Sequence, residues 1–147
     1  IGVGSNLLVR DGGVTGVVIR LGREFTDISL NDKYLITASS AVLDYNLANF
    51  ALENSISGFE FLVGIPGTIG GGIAMNAGCY GADFASILVE AEAIDYEGNI
   101  LVLKNEDFGY IYRGHNLENN YIFTKAIFKG KPGKKEEIKE RMLQISE

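Results

Sequence analysis

Tryptophan is absent from this chain of 147 residues, cysteine and histidine occur once each, and proline occurs twice. The lone cysteine, Cys79, excludes an internal disulfide and fits a reducing compartment, so the expected location is cytoplasmic. One histidine and one cysteine cannot build a common zinc site, and no metal is expected. No apolar run approaches the roughly 20 residues of a membrane span. No basic, apolar leader opens the chain, so no secretory signal is expected. Positive charge is also short: 13 Lys and Arg stand against 19 Asp and Glu, a net charge of −6. That balance argues against broad electrostatic binding to nucleic acid. Neither nucleic acid nor a membrane is an expected partner, and nothing in the pattern specifies an oligomeric state.

What is present describes a folded domain. Hydrophobic residues make up 46 % and charged residues 22 %, which excludes a disordered tail or a charged coiled coil. Glycine occurs 19 times, about twice its usual ~7 % share. Glycine without proline points to ordered turns and close backbone approach rather than a linker. The chain opens on Ile1, without methionine, directly in a strand-and-turn pattern, and we expect a piece of a longer protein.

Strands are expected at Leu7–Val9 and Val17–Ile19, with a turn at Asp11-Gly12-Gly13. A hairpin is expected over 25–38, turning at Asn31-Asp32. A helix is expected over 42–53, with Leu43, Leu47, Phe50 and Ala51 on one stripe and Ser40 as N-cap. Residues 87–95 alternate as a half-buried strand with Ile87, Val89, Ala91 and Ala93 on one face. The chain then turns at 96–99 and returns over Ile100–Leu103. Another strand is expected over 121–128. A helix follows over 134–147, with Ile138, Met142 and Ile145 inward and a Glu137–Arg141 pair. Strands in hairpin-length pairs with only two convincing helices give an α+β class with a mainly antiparallel or mixed sheet.

Three segments carry possible chemistry. Gly2-Val3-Gly4-Ser5-Asn6 exposes backbone N–H groups that suit an anion such as a pyrophosphate, or forms a plain turn between strands. The stretch from Gly64 to Gly81 holds Pro66-Gly67, which suits a type II turn, and the triplet Gly70-Gly71-Gly72. Each glycine costs a helix roughly 1 kcal/mol relative to alanine. Close contact with a flat ring or a phosphate chain would offset that, and so would close packing of one helix on another. Asn76 and Tyr80 are the polar groups in reach, and Cys79 reads as a small filler. The third segment is Tyr110-Ile111-Tyr112-Arg113-Gly114-His115. Its arginine offers a planar fork suited to a carboxylate, or is an ordinary surface residue; His115 reads as a polar loop histidine. Rossmann and Walker fingerprints both fail: Leu7 stands at the third glycine of the former and Ile73 at the lysine of the latter.

Together these segments resemble the UDP-N-acetylenolpyruvoylglucosamine reductase family, flavoenzymes of peptidoglycan precursor synthesis. The resemblance rests on Gly2 to Val9 with Asp11-Gly12-Gly13, on Gly64-Ile65-Pro66-Gly67-Thr68-Ile69-Gly70-Gly71 through Met75-Asn76-Ala77-Gly78 to Tyr80-Gly81, and on Tyr112-Arg113. The strand ending in Phe128 and the Pro132-Gly133 loop also match. It implies an FAD-binding domain of the vanillyl-alcohol-oxidase type, with residues 1–22 a remnant of the first lobe and 23–147 the second. The substrate-binding domain would lie outside the chain. It further implies NADPH as reductant, a small sugar-nucleotide substrate, and reduction of an enolpyruvyl double bond. In the family a serine or cysteine donates the proton, and an arginine and a glutamate stabilise the intermediate.

By that resemblance Arg113 is the arginine of the active site. Gly4, Ser5, Asn6, Leu7, Gly64, Ile65, Gly67, Thr68, Gly70, Gly71 and Asn76 would contact the flavin nucleotide. Tyr112, Asn76 and Tyr80 would contact substrate. His115 stands where many members carry serine, and Cys79 where alanine is usual. The family's proton donor and glutamate fall beyond Glu147, so the chain alone is expected to be inactive. Two other readings remain: another oxidoreductase of the same FAD-binding fold, and a non-catalytic nucleotide-binding module.

Overall fold

The computed structural model describes residues 1–118 and 120–146. The chain runs through β1 (Ile28–Asp32), β2 (Leu35–Ser39), α1 (Asp44–Glu53), β3 (Ile56–Ser57), α2 (Ile69–Met75), β4 (Gly78–Cys79) and β5 (Ala82–Asp83). It continues through β6 (Leu88–Ile94), β7 (Ile100–Lys104), β8 (Ile122–Lys129), β9 (Lys131–Pro132) and α3 (Lys135–Ser146). Five strands form one sheet in the order β1-β2-β8-β6-β7, every neighbour antiparallel. Short ribbons β3–β9 and β4–β5 stand apart from it.

The core is written across the three central strands. Ile36, Phe128 and Leu88 lie in one row, and Ala38, Ala126 and Ala91 in the next. All six are buried. The alanine row leaves room for α2, which packs on β8 and β2. Phe84 meets Phe61 and Phe128 edge to face, at 6.3 and 5.9 Å between ring centres. Across the β6–β8 pair, Lys125 bonds Glu92 at 2.9 Å, and Thr124 Oγ1 donates to Glu92 Oε1 at 2.7 Å.

Several local expectations change. Residues 7–9 and 17–19 form no strand; Leu8 is 96 % and Val17 89 % exposed, and among the described residues no strand lies beside the segment to pair with it. The first hairpin turns at Lys33-Tyr34, with Tyr34 in the left-handed region, rather than at Asn31-Asp32. A bulge between Leu88 and Glu90 turns Leu88 rather than Val89 inward. In α3, Ile138 and Met142 are buried as expected. Its Arg141 reaches Glu60 at 3.2 Å, while Glu137 pairs with Lys134 at 3.1 Å. Glu147 lies outside the described residues.

Helix α1 buries Asp44, Leu47, Ala48 and Ala51, a stripe rotated from the expected one. Ser40 does not cap it; the N-cap position is Leu43, without a side-chain bond. Asp44 is fully buried, and both carboxylate oxygens lack a partner among the described residues. Burial alone pushes its carboxyl up to about 7. The native chain therefore holds this proton more tightly than the unfolded chain does. Stability from the neutral acid is complete below the ordinary value of 3.8 and is lost as pH rises towards about 7. Asp44→Asn, which keeps a neutral group, should gain on the parent by up to about 4 kcal/mol between pH 4 and 8. Urea unfolding at the two pH values measures this, and an unchanged difference would mean that the carboxylate is solvated.

Candidate functional site

The site is organised by α2, a helix of seven residues, which spans about 10 Å at 1.5 Å per residue. Its first turn is pinned to the segment that leads into α1. Gly70 N–H donates to the Ser40 carbonyl at 2.9 Å, Ile69 N–H to Val42 at 3.0 Å, and Asp44 N–H to Gly67 at 3.1 Å. The three glycines have different surroundings. A Cβ on Gly70 would stand 3.0 Å from Ser40 Cβ, and one on Gly72 would fall inside the Phe84 ring. A Cβ on Gly71 would meet only Thr68 Oγ1, at an ordinary 3.6 Å. Protein packing thus accounts for Gly70 and Gly72, while Gly71 presents bare backbone to a cavity.

That cavity has a volume of about 1190 Å³, above the roughly 300–1,000 Å³ of ordinary small-molecule sites and roomy enough for a dinucleotide. Thr68, Gly70, Gly71 and Ser40 form one wall; Val17–Arg23, together with Ile1, Gly2 and Val3, form another. Gly2 abuts the Thr68 side chain and so ties the leading segment to the start of α2. Ser40 Oγ is buried in this wall with no partner among the described residues. An unpartnered buried hydroxyl beside the open face of Gly71 fits a ligand with polar groups.

At the other end of α2 lies a cleft of about 380 Å³, lined by Asn76, Gly78, Cys79, Gly81, Ala82, Asp83, Tyr112 and Arg113. Two tight hairpins frame it. Ribbon β4–β5 turns at Tyr80-Gly81, both with positive φ, as a two-residue hairpin requires. Ile111 and Gly114 pair around Tyr112-Arg113, with Arg113 at φ 60°. Of the five non-glycine residues at positive φ among the described residues, Asn76, Tyr80 and Arg113 gather at this place. Such conformations cost about 1–3 kcal/mol each and concentrate at functional sites.

Tyr80 and Tyr112 are 70 % and 89 % exposed, and the Arg113 guanidinium lies 5.6 Å from the Tyr112 ring centre. Among the described residues no carboxylate pairs with Arg113, so its fork is free for an anion. The Cys79 thiol donates to the Phe61 carbonyl at 3.1 Å; burial pushes its pKa up, and the Arg113 charge opposes this. It remains a protonated thiol. His115 packs edge-on against Phe108 and accepts from Leu117 N–H at Nδ1, and burial lowers its pKa. The only histidine is thus a neutral ring tied into the fold.

Of the residues singled out in the sequence, Thr68, Gly70 and Gly71 line the large cavity, and Asn76, Tyr112 and Arg113 the cleft. Tyr80 sits in the β4–β5 turn beside the cleft. Gly4 to Leu7 form a turn closed by Leu7 N–H to the Gly4 carbonyl, and the cavity wall is built by Gly2 and Val3 instead. Gly64 packs against Cys79 and Ile145; Ile65 is half-buried beside the core. Gly67 does not take the left-handed φ of a type II turn; it is glycine because a Cβ would stand 2.6 Å from Asp44 Oδ2. Sequence reasoning missed Ser40 and Asp83. Asp83 carried a readable signal, since it stands three residues before Ser86, whose N–H it caps.

An antiparallel sheet with a roomy, partly glycine-lined cavity beside a short helix has the makings of a nucleotide-binding domain. Residues 1–104 match the family described as FAD binding domain, and the chain belongs to that family. It is 56 % identical over 145 residues to the UDP-N-acetylenolpyruvoylglucosamine reductase of Rickettsia massiliae (strain Mtu5), covering 99 % of this chain and 49 % of that protein. The Rickettsia typhi reductase is 53 % identical over the same span. The crystal structure of UDP-N-acetylenolpyruvylglucosamine reductase from Thermus caldophilus superposes with a TM-score of 0.81 at 34 % identity, covering 91 % of this chain and 48 % of that one. The chain spans about half the length of the curated relatives it matches.

The unequal glycines give a direct test. Gly71→Ala should leave the ligand-free protein as stable or more stable, by up to about 1 kcal/mol, while weakening FAD binding. Gly72→Ala should destabilise it by about 1–3 kcal/mol, because the Phe84 ring must move. Denaturant unfolding paired with flavin titration of both variants separates the two effects.

Proposed function

We infer that this chain forms the flavin-holding part of a reductase that converts UDP-N-acetylglucosamine enolpyruvate to UDP-N-acetylmuramate, with NADPH as the source of electrons. The observation that carries this reading is the placement of a dinucleotide-sized cavity and an arginine-bearing cleft at opposite ends of one short helix. Alignment of 99 % of this chain with 49 % of a reductase of that name supports it. When bound, FAD supplies the hydride chemistry that no protein side chain can. Gly71 and Thr68 would receive the flavin nucleotide, and Ser40 would offer it a hydroxyl. Residues 1–22 would belong to the first lobe of the flavin domain and 23–147 to the second.

The cleft residues would act on the sugar nucleotide. Hydride attack on an enolpyruvyl double bond places negative charge towards the substrate carboxylate. A fixed guanidinium stabilises that charge without reorganising at the moment of reaction. Arg113 meets the requirement, since it is always ionised, unpaired by carboxylates among the described residues, and held at the tip of a closed turn. Tyr80 and Tyr112 would flank the substrate from the two turns.

Titrating this chain with FAD should give saturable quenching of flavin fluorescence, and absence of binding by the full-length protein as well would remove the flavin reading. In the full-length protein Arg113→Met should lower kcat by roughly 10²–10³-fold, the cost of losing one preorganised charge-stabilising group. FAD affinity should not change. Steady-state kinetics of NADPH oxidation measure the first, and flavin titration the second.

A further inference from the structure

We propose that Asn76 is a positioning residue for Arg113: its side-chain amide fixes the Tyr112-Arg113 turn to the end of α2, and Asp83 holds that amide in the one orientation that can do so. The inference rests on the reading of Arg113 given above. Asn76 is buried, and its Nδ2 donates to the Ile111 carbonyl at 3.0 Å and to Asp83 Oδ2 at 3.2 Å. Its Oδ1 accepts from Ala85 N–H at 2.9 Å. Both donors are spent within the protein, so the side chain has no N–H left to offer a ligand.

The orientation is decided by chemistry. A carbonyl and a carboxylate accept, and a backbone N–H donates, so flipping the amide would set three contacts against one another. Asp83 is itself fixed, because its other oxygen caps Ser86 N–H at 3.1 Å. The turn held this way is otherwise joined to α2 by Tyr110, whose hydroxyl donates to the Ile73 carbonyl at 3.2 Å. Helix capping alone does not require this side chain. Asn76 ends α2 in the left-handed region, where glycine serves equally well.

The exchange Asn76→Asp with Asp83→Asn breaks the contact with Ile111 while keeping those to residues 83 and 85. The amide then placed at position 83 can donate to the carboxylate at position 76, and its oxygen still caps Ser86. The carboxylate at position 76 still accepts from Ala85 N–H. The bond to Ile111 is lost, and a carboxylate oxygen now faces that carbonyl, so the tie becomes a repulsion. In the ligand-free full-length protein, hydrogen exchange of the Ile111 and Gly114 amides should speed up about tenfold. With substrate, kcat/KM should fall about tenfold. Adding Arg113→Met should then cost much less than it does in the parent, because both changes remove one function.

Parental exchange rates in the double variant would overturn the proposal, and so would fully additive losses. If Arg113→Met alone left turnover intact, the reading of Arg113 would fall, and the positioning role with it, while the exchange data would still report whether Asn76 holds the turn. Should the double variant not fold, Asn76→Gly keeps the left-handed cap and must show the same faster exchange.

Discussion

The tightest constraint in this molecule is the contact between the start of α2 and the segment between β2 and α1. Three backbone hydrogen bonds join them, and they form only if no side chain intervenes. Gly70 is glycine for that reason. Gly67 is glycine because the Asp44 carboxyl fills the space where its Cβ would be. Gly72 lets α2 settle on Phe84, which carries the contact through to Phe61 and Phe128 under the sheet. Once α2 is held there, its two ends are placed relative to the sheet, and so are the cavity and the cleft.

The energetic cost of this arrangement falls on a few residues. Three glycines weaken α2 as an isolated helix, and seven residues are too few for it to stand alone in water. Its stability is tertiary, drawn from Ile69 and Ile73, which are fully buried. The strained backbones of Asn76, Tyr80 and Arg113 follow directly after that anchored region or against it. A rigid base is what allows such conformations to persist.

Much of this was legible in the sequence. Alternation and turn chemistry placed β6, β7, β8 and both long helices to within a residue or two. Residues of the glycine-rich stretch line the cavity, and Tyr112-Arg113 the cleft. The remainder depends on tertiary partners. Val17–Ile19 has the composition of a strand but, among the described residues, no neighbour to pair with. Ser40 has the chemistry of a helix cap but lies on a cavity wall, because the chain bends once more before α1 begins. The individual roles of Gly70, Gly71 and Gly72 could not be separated in a one-dimensional pattern, since Phe84 and Ser40 meet them only after folding. Asn76 reads as a polar group in reach of the glycine-rich stretch; its partners at Asp83, Ala85 and Ile111 come from segments the sequence does not visibly join.

The order of strands bears on how the chain assembles. Hairpins β1–β2 and β6–β7 are local and can close early, but β8 lies between them and pairs with both. It is the last of the five strands to leave the ribosome. Until it arrives, β2 and β6 each expose an open edge, and loop closure across the intervening chain must be met before that pairing contributes. The sheet is therefore completed by insertion of its middle strand, and its two halves can join only once the chain through Lys129 has left the ribosome.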